Sequence, residues 1–156
     1  MLALPSPSGP ARIASWGIWV GGFIFYGGLV VPIQHELLES LSAGNITRHV
    51  TDVLNRVGLA SVAIWALAAS SDRSAPSRWV RRVYVASIAA SALLLAFLFA
   101  AHRPMDRLLD SGSMADFYPL HRIYLAASTA QWLANMAVVG CWSLCWTARP
   151  APGEPS

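Results

Sequence analysis

Residues 83–101, VYVASIAASALLLAFLFAA, form an uninterrupted run without a single charge. Arg81 and Arg82 precede this run, and the sequence HRP at 102–104 follows it. A helix needs about 20 apolar residues to cross a hydrocarbon core about 30 Å thick. The run therefore predicts a transmembrane helix over about 81–101, and the proline at 104 predicts that the helix stops there.

The composition of the whole chain agrees with a membrane protein. Of its 156 residues, 55% are hydrophobic and 12% are charged, and the mean hydropathy is +0.47. A soluble domain carries about 25% charged residues, so this composition excludes a disordered chain and nearly every ordinary soluble enzyme. All 11 basic residues are arginines, which suits helix ends at a membrane. We expect the lipid bilayer as partner and no nucleic acid, because no basic stripe is interleaved with aromatic residues.

Three further runs predict helices of the same kind. Residues 13–34 are uncharged, and the leader lacks the features of a signal peptide, so we expect a retained span. The second is one long helix whose amphipathic first third lies in the interface, followed by a span over 53–70. The fourth span covers about 120–147, with Pro119 in the first helical turn and Asp116 as a cap.

The amphipathic part of the second helix separates two sets of side chains by steps of three and four residues. The apolar set is Ile46, Val50, Val53, Leu54 and Val57. The polar set, on the opposite face, is Arg48, His49, Asp52, Asn55 and Arg56.

The predicted fold class is all-α: an integral membrane four-helix bundle with four transmembrane helices, in one domain over 13–147. Flexible proline-rich tails are expected at 1–12 and 148–156. An even number of spans puts both termini on the same side. The short connection before the third span carries four arginines against one acidic residue, Asp72, and such charge favours the cytoplasm. We expect an inner (plasma) membrane protein with both termini cytoplasmic.

Most tryptophans fall toward one end of the predicted bundle. They are Trp16, Trp19, Trp65, Trp79, Trp142 and Trp146. An aromatic belt at the membrane interface is the simpler explanation, and a stacking platform for a ring-shaped ligand is the alternative.

The fourth helix carries polar residues at steps of three and four, which keeps them on one stripe. They are His121, Tyr124, Ser128, Gln131 and Asn135. Since polar groups are costly against lipid, we expect the stripe to point into the bundle. It either fixes helix packing or forms the wall of a polar pocket. Arg56 is expected to lie near the stripe, with Asp52 as its ion-pair partner four residues earlier.

All four histidines fall at the other end of the predicted bundle. They are His35, His49, His102 and His121, one from each helix. A solvated rim explains them most simply, because helix ends at a membrane surface are polar. A metal or haem site is the alternative, with His35, His102 and His121 as weak candidate ligands. No histidine pair has a metal-motif spacing, so no cofactor is predicted.

Small residues at four-residue spacing mark helix faces that allow close approach. They are Gly17/Gly21, Ala86/Ala90, Ser87/Ser91 and Ala126/Ala130/Ala134. These faces predict helix packing and allow a homo-oligomer. Cys141 and Cys145 lie in an apolar run and are predicted to be buried, unreactive thiols.

Three stretches carry a family resemblance: SWGIWVGGFIFYGGLVVPI at 15–33, HELLESLSAGNITRHVTDVLNRVG at 35–58 and FYPLHRIYLAASTAQWL at 117–133. They resemble the DUF4149 family, the TMEM205-like four-span membrane proteins. The shared features are a glycine-rich first helix ending in a proline, a small-residue turn, and an aromatic residue four before a histidine. Here these are Gly21, Gly22 and Pro32, then Ala43 and Gly44, then Phe117 and His121. The chain is more weakly similar to DUF1772, the anthrone-oxygenase-like family, but has HRPMDRLLD where that family has Asn and Trp elements.

Both resemblances imply a fold and a location rather than a reaction. We therefore expect an integral membrane protein that is a non-enzymatic accessory or small-solute-handling bundle. The alternative is a small membrane oxidoreductase with a metal, haem or quinone site at the histidine end. The two hypotheses differ in whether the histidines converge on one cavity with Arg56 or Tyr124.

Overall fold

Helices account for nearly all of the described chain. The computed structural model describes residues 9–71 and 77–147, and no strand occurs within them. The elements are α1 (Gly9–Phe25), a π-helical turn (Tyr26–Val30), α2 (Val31–Leu37), α3 (Ser40–Ser71), α4 (Arg78–Asp110) and α5 (Met114–Thr147). Of the tails expected at 1–12 and 148–156, only residues 9–12 are described, and they form the first turn of α1. Asp72, Arg73 and the side chains of Cys145 and Trp146 lie outside the described part.

Within residues 9–71 and 77–147, three helical segments are long and apolar enough to cross a membrane. They are Gly9–Leu37, Ser42–Ser70 and Arg78–Asp110. The helix α5 is equally long but is not among them, because amide side chains such as Gln131 and Asn135 interrupt its apolar stretch. The protein is therefore an all-α membrane protein with three candidate spans and one more long helix, and the fourth span stays a prediction.

The expectation that Pro104 ends the third helix is wrong. The helix α4 continues through Pro104 to Asp110. A proline inside a helix removes one backbone hydrogen bond and needs room for its ring. Pro104 is exposed, so the ring has that room and water can solvate the carbonyl that it frees.

The start of the fourth helix also differs from the expectation. The helix α5 begins at Met114, which leaves Pro119 inside the helix and Asp116 in its first turn rather than at the cap position. The hydroxyl of Ser113 donates to Asp116 Oδ2 at 2.8 Å. A carboxylate in the first turn still stabilises the helix through the positive end of its dipole.

The tryptophan end of the bundle is a packed core. The helix α3 lies between α1 and α4, and α4 packs along α5. Trp19 of α1 and Trp65 of α3 are 1% and 2% exposed, and their ring centroids lie 5.7 Å apart. The core around them is completed by Val62, Ile88, Leu95 and Val138. The aromatic-belt interpretation is therefore wrong for Trp19 and Trp65, whereas Trp79 is 69% exposed.

A glycine on α3 allows this close packing. A Cβ atom built on Gly58 would lie 2.4 Å from two ring carbons of Trp19. Gly22 of α1 is also close to α3, since its Cβ would lie 2.9 Å from a terminal carbon of Leu54. By contrast, a Cβ atom built on Gly17 or Gly21 meets no other helix of the described part of the chain within 4 Å. That face of α1 is open, and its use in a homo-oligomer stays a prediction.

The helix α3 buries polar side chains and exposes apolar ones, as suits a helix in lipid. Asn55 and Ser61 are each 1% exposed, whereas Val53 is 58% exposed. The amphipathic pattern therefore predicts the position of Asn55 wrongly: its side chain lies in the interior and not on the polar outer face. Lipid is as apolar as valine, so burying Val53 offers little gain and polar groups turn inward instead.

Candidate functional site

Five buried polar side chains from three helices form two hydrogen-bonded groups inside the bundle. We call them the interior polar cluster: Asn55 on α3, Ser91 on α4, and Tyr124, Gln131 and Asn135 on α5. Their exposed fractions are 1%, 0%, 6%, 4% and 3% respectively. Since the bilayer core offers no water to such groups, each of them needs a partner within the protein or bound to it.

In each of the two groups, the hydrogen bonds run between helices. The amide of Asn55 donates to the Tyr124 hydroxyl at 3.1 Å, which links α3 to α5. The Ser91 hydroxyl donates to Asn135 Oδ1 at 3.0 Å, and Gln131 Nε2 donates to the Ser91 carbonyl oxygen at 3.2 Å. The cluster therefore holds α5 against both α3 and α4.

Two acceptors of the cluster have no partner. Asn55 Oδ1 and Gln131 Oε1 are buried and accept no hydrogen bond within the described part of the protein. Leaving a buried acceptor unsatisfied costs about 1–3 kcal/mol. Native proteins usually satisfy such groups with an ordered water or a ligand. Each of the two acceptors is therefore able to take a hydrogen bond from a small donor such as water.

The other two residues of the predicted stripe on α5, Ser128 and His121, are only partly buried. The hydroxyl of Ser128 is partly buried and donates to the Tyr124 carbonyl oxygen of its own helix at 3.0 Å. His121 is partly buried and stacks on Phe117, with ring centroids 5.3 Å apart and an interplanar angle of 15°. Its Nδ1 atom is buried and makes no hydrogen bond with the described residues.

The structure places Arg56 away from the interior polar cluster. Its side chain is 72% exposed, and its Nη2 atom lies 2.7 Å from Asp52 Oδ2. The ion pair with Asp52 is thus present, but it lies on the outer surface of α3. Such an exposed pair contributes little to stability, and a long arginine side chain can reach the membrane surface from there.

The histidines do not assemble into a metal site. His35 and His49 are exposed, and the Nδ1 atom of His102 lies 3.2 Å from Asp106 Oδ2. Within residues 9–71 and 77–147, no three His, Cys, Asp or Glu side chains are grouped so that they could hold a metal ion. The weak candidate ligands His35, His102 and His121 are therefore not brought together.

Charged residues tie α3 to α4 at this end instead. Arg48 Nη1 lies 3.0 Å from Asp110 Oδ1, and Arg48 Nε lies 3.8 Å from Asp106 Oδ1. Asp106 in turn contacts His102, which meets the ring of Tyr124 edge-on at a centroid distance of 6.4 Å. The ion pairs are therefore connected to Tyr124 of the interior polar cluster through the ring contact of His102.

A second polar group lies at the π-helical turn. The hydroxyl of Tyr26 lies 3.1 Å from Gln34 Oε1 and 3.0 Å from Thr47 Oγ1. The Thr47 hydroxyl donates to the Ala43 carbonyl oxygen at 2.9 Å. Tyr26 is the first residue of the π-helical turn and Gln34 follows the turn on α2, and both reach Thr47 of α3.

Sequence reasoning missed Asn55 and Ser91 as members of the cluster. The amphipathic pattern places Asn55 on the outer face of α3, and the small-residue spacing marks Ser91 only as a position for close helix packing. A signal exists for Asn55, since it is an uncharged amide three residues before a glycine in a helix that otherwise becomes apolar. Small-residue spacing alone does not distinguish Ser91 from Ser87.

The comparison with known families gives one match. The family model DUF4149, described as a domain of unknown function, matches residues 14–113. The match covers α1 to α4 and ends just before α5, so it includes Asn55 and Ser91 but not Tyr124, Gln131 or Asn135. No curated protein and no solved structure matches the sequence. Since the matched region is well over half of the chain, the protein belongs to the DUF4149 family.

Proposed function

We propose that this protein is a four-span, non-enzymatic membrane protein that handles a small polar solute at the interior polar cluster. The observation that carries this proposal is the pair of unsatisfied buried acceptors, Asn55 Oδ1 and Gln131 Oε1. Acceptors select a ligand that donates hydrogen bonds, and the cluster carries no formal charge to attract an ion. Water and small neutral donors such as urea or glycerol fit this chemistry.

The two faces of α5 support its role as the fourth span. Tyr124, Gln131 and Asn135 face the bundle. The exposed residues on the helix include large apolar side chains, all more than half exposed: Ile123, Leu125, Leu133 and Leu144. A helix that is polar toward its neighbours and apolar toward lipid can cross a membrane although its average composition is only moderately apolar.

The charge distribution supports an inner (plasma) membrane location with both termini cytoplasmic. Arg73 lies in the connection between α3 and α4, and Arg78, Arg81 and Arg82 lie at the start of α4. Short arginine-rich connections stay in the cytoplasm. If α5 spans the membrane, the termini lie on the same side as this connection.

Reporter fusions test this topology. A reporter inserted after Gly112, between α4 and α5, is expected outside the cytoplasm, and one fused after Ser156 is expected inside. The measurement is the activity of a phosphatase that works only outside the cytoplasm, paired with a fluorescent protein that matures in the cytoplasm. If both reporters lie on the same side, α5 does not cross the membrane.

Solute flux through reconstituted vesicles tests the function. Vesicles containing the full chain are expected to admit water, urea or glycerol faster than empty vesicles, as measured by stopped-flow light scattering after an osmotic step. The variant Gln131→Leu should reduce this gain about fivefold, the ratio that corresponds to about 1 kcal/mol for one hydrogen bond.

The matched control is Thr129→Val on the same helix. Thr129 is exposed and its hydroxyl donates to the Leu125 carbonyl oxygen of its own helix, so the flux should stay at the wild-type level. Equal flux for wild-type and empty vesicles, for all three solutes, would refute solute handling and leave an accessory role.

A further inference from the structure

Charge is divided unevenly between the two ends of the bundle. Every acidic residue in the described part of the chain lies at the histidine end: Glu36, Glu39, Asp52, Asp106, Asp110 and Asp116. At the tryptophan end the described charged residues are all arginines, namely Arg12 on α1 and Arg78, Arg81 and Arg82 at the start of α4. Over residues 9–71 and 77–147, the tryptophan end is therefore purely basic.

The three arginines at the start of α4 make no ion pair within the described part of the chain. Arg78, Arg81 and Arg82 are exposed, and none of them pairs with a carboxylate among the described residues. The first turn of α4 contains no acidic residue. Cations oppose the positive end of the helix dipole, so helix stability does not account for three of them at this position.

The face of α4 that carries the arginines continues into exposed apolar side chains. Steps of three and four residues place Arg78, Arg81 and Arg82 on the same face as Val85 and Leu93. Val85 is 48% exposed and Leu93 is 72% exposed. A helix rises about 1.5 Å per residue, so Leu93 lies about 16 Å along the axis from Arg82. This distance is about half of a hydrocarbon core about 30 Å thick, so the face combines positive charge at one end with an apolar surface that spans one leaflet.

An exposed tryptophan accompanies the arginines. Trp79 directly follows Arg78 and is 69% exposed. Val80, the next residue, is buried, which fixes the rotation of α4 and keeps its neighbours Arg81 and Arg82 on the outside. Tryptophan is enriched at the level of the lipid headgroups, where its ring lies between water and hydrocarbon. The start of α4 therefore fits the headgroup level of the membrane.

We propose that the start of α4 binds an anionic phospholipid, with the headgroup beside Arg78, Arg81 and Arg82 and an acyl chain along Val85 and Leu93. The planar guanidinium group suits a phosphate, because it can donate two parallel hydrogen bonds to it. A soluble phosphate compound would use the arginines alone, whereas the apolar face that continues from them favours a lipid. This surface faces outward and is separate from the interior polar cluster, so lipid binding here does not depend on solute handling.

Native mass spectrometry of the full chain in detergent, with dioleoyl phosphatidylglycerol or dioleoyl phosphatidylcholine added, tests the proposal. Phosphatidylglycerol should bind at least about tenfold more tightly than phosphatidylcholine, which has the same acyl chains but no net charge. Each of Arg78→Gln, Arg81→Gln and Arg82→Gln should weaken phosphatidylglycerol binding about fivefold, the ratio that corresponds to about 1 kcal/mol for one basic residue near an anionic surface. The triple variant should bind both lipids equally.

The matched control removes three exposed arginines at the histidine end in one chain: Arg103→Gln, Arg107→Gln and Arg122→Gln. It loses the same charge, but acidic side chains accompany those positions on α4 and α5, so it should bind phosphatidylglycerol like the wild type. Without added lipid, the triple variant at the start of α4 should melt no lower than the wild type, because it removes cations from the positive end of a helix dipole. Weaker lipid binding by that variant is then not a result of unfolding.

Three results would overturn the proposal. Equal binding of the two lipids by the wild type would show that the headgroup charge is not recognised. Equal loss of phosphatidylglycerol binding in the two triple variants would make net charge, and not the start of α4, the cause of binding. Binding of soluble glycerol 3-phosphate as tight as that of phosphatidylglycerol would mean that the arginines bind a free phosphate and not a lipid.

Discussion

Replacing Gly58 by leucine is expected to prevent α1 from packing on α3. Even a Cβ atom at this position would lie 2.4 Å from ring carbons of Trp19, and leucine adds three further carbons. Trp19 cannot move aside easily, because it is 1% exposed and packs against Trp65. Overpacking of a core costs about 1–3 kcal/mol and occasionally more. We expect a loss of about 3 kcal/mol or more for Gly58→Leu.

Thermal unfolding of the full chain in detergent, followed by fluorescence-detected gel filtration, measures this effect. Gly140→Leu is the control, because a Cβ atom built at that glycine meets no other helix among the described residues within 4 Å. It should change the melting temperature little. The double variant Gly58→Ala with Trp19→Leu should be more stable than Gly58→Ala alone, since the smaller side chain at 19 relieves the contact. Equal stability of Gly58→Leu and Gly140→Leu would contradict the close packing.

Composition and charge-free runs were sufficient to predict a helical membrane protein. An uncharged run as long as 83–101 is typical of a helix in lipid and not of a helix in water, so the membrane environment can be inferred from the sequence itself. The helix ends were less predictable. A proline removes one backbone hydrogen bond in any helix, but whether the helix stops there depends on the space around the proline ring. Pro104 is exposed, so its ring has that space.

In the site, too, features that depend on one helix could be predicted from the sequence, whereas features that depend on the packing of several helices could not. The stripe on α5 follows from spacing within a single helix, and the structure buries Tyr124, Gln131 and Asn135 of that stripe. The inward face of α3 depends on the rotation of that helix about its axis. Gly58 faces Trp19 of α1, and Asn55, three residues earlier, lies on the same inward face of α3. Arg56, next along the chain, is thereby turned outward.

Tyr124→Phe is expected to destabilise the bundle by about 1–2 kcal/mol. The Tyr124 hydroxyl is the acceptor for the Asn55 amide at 3.1 Å, and Asn55 Oδ1 already lacks a donor. Removing the hydroxyl leaves both ends of a buried amide unsatisfied, and hydrogen bonds between membrane helices are worth about 1–2 kcal/mol at most. The control is Tyr118→Phe on the same helix, since Tyr118 is 59% exposed.

The combination of Tyr124→Phe with Asn55→Leu separates stability from function. Asn55→Leu alone removes the amide but leaves the Tyr124 hydroxyl without its partner, so it should also lower the melting temperature. The double variant removes both polar groups and should recover most of the lost stability, because an apolar pair of similar size costs little. It should nevertheless lose solute flux, since one of the two unsatisfied acceptors is gone. If the double variant retains wild-type flux, Asn55 only holds helices together; if it is less stable than both single variants, the hydrogen bond between Asn55 and Tyr124 is not what couples α3 to α5.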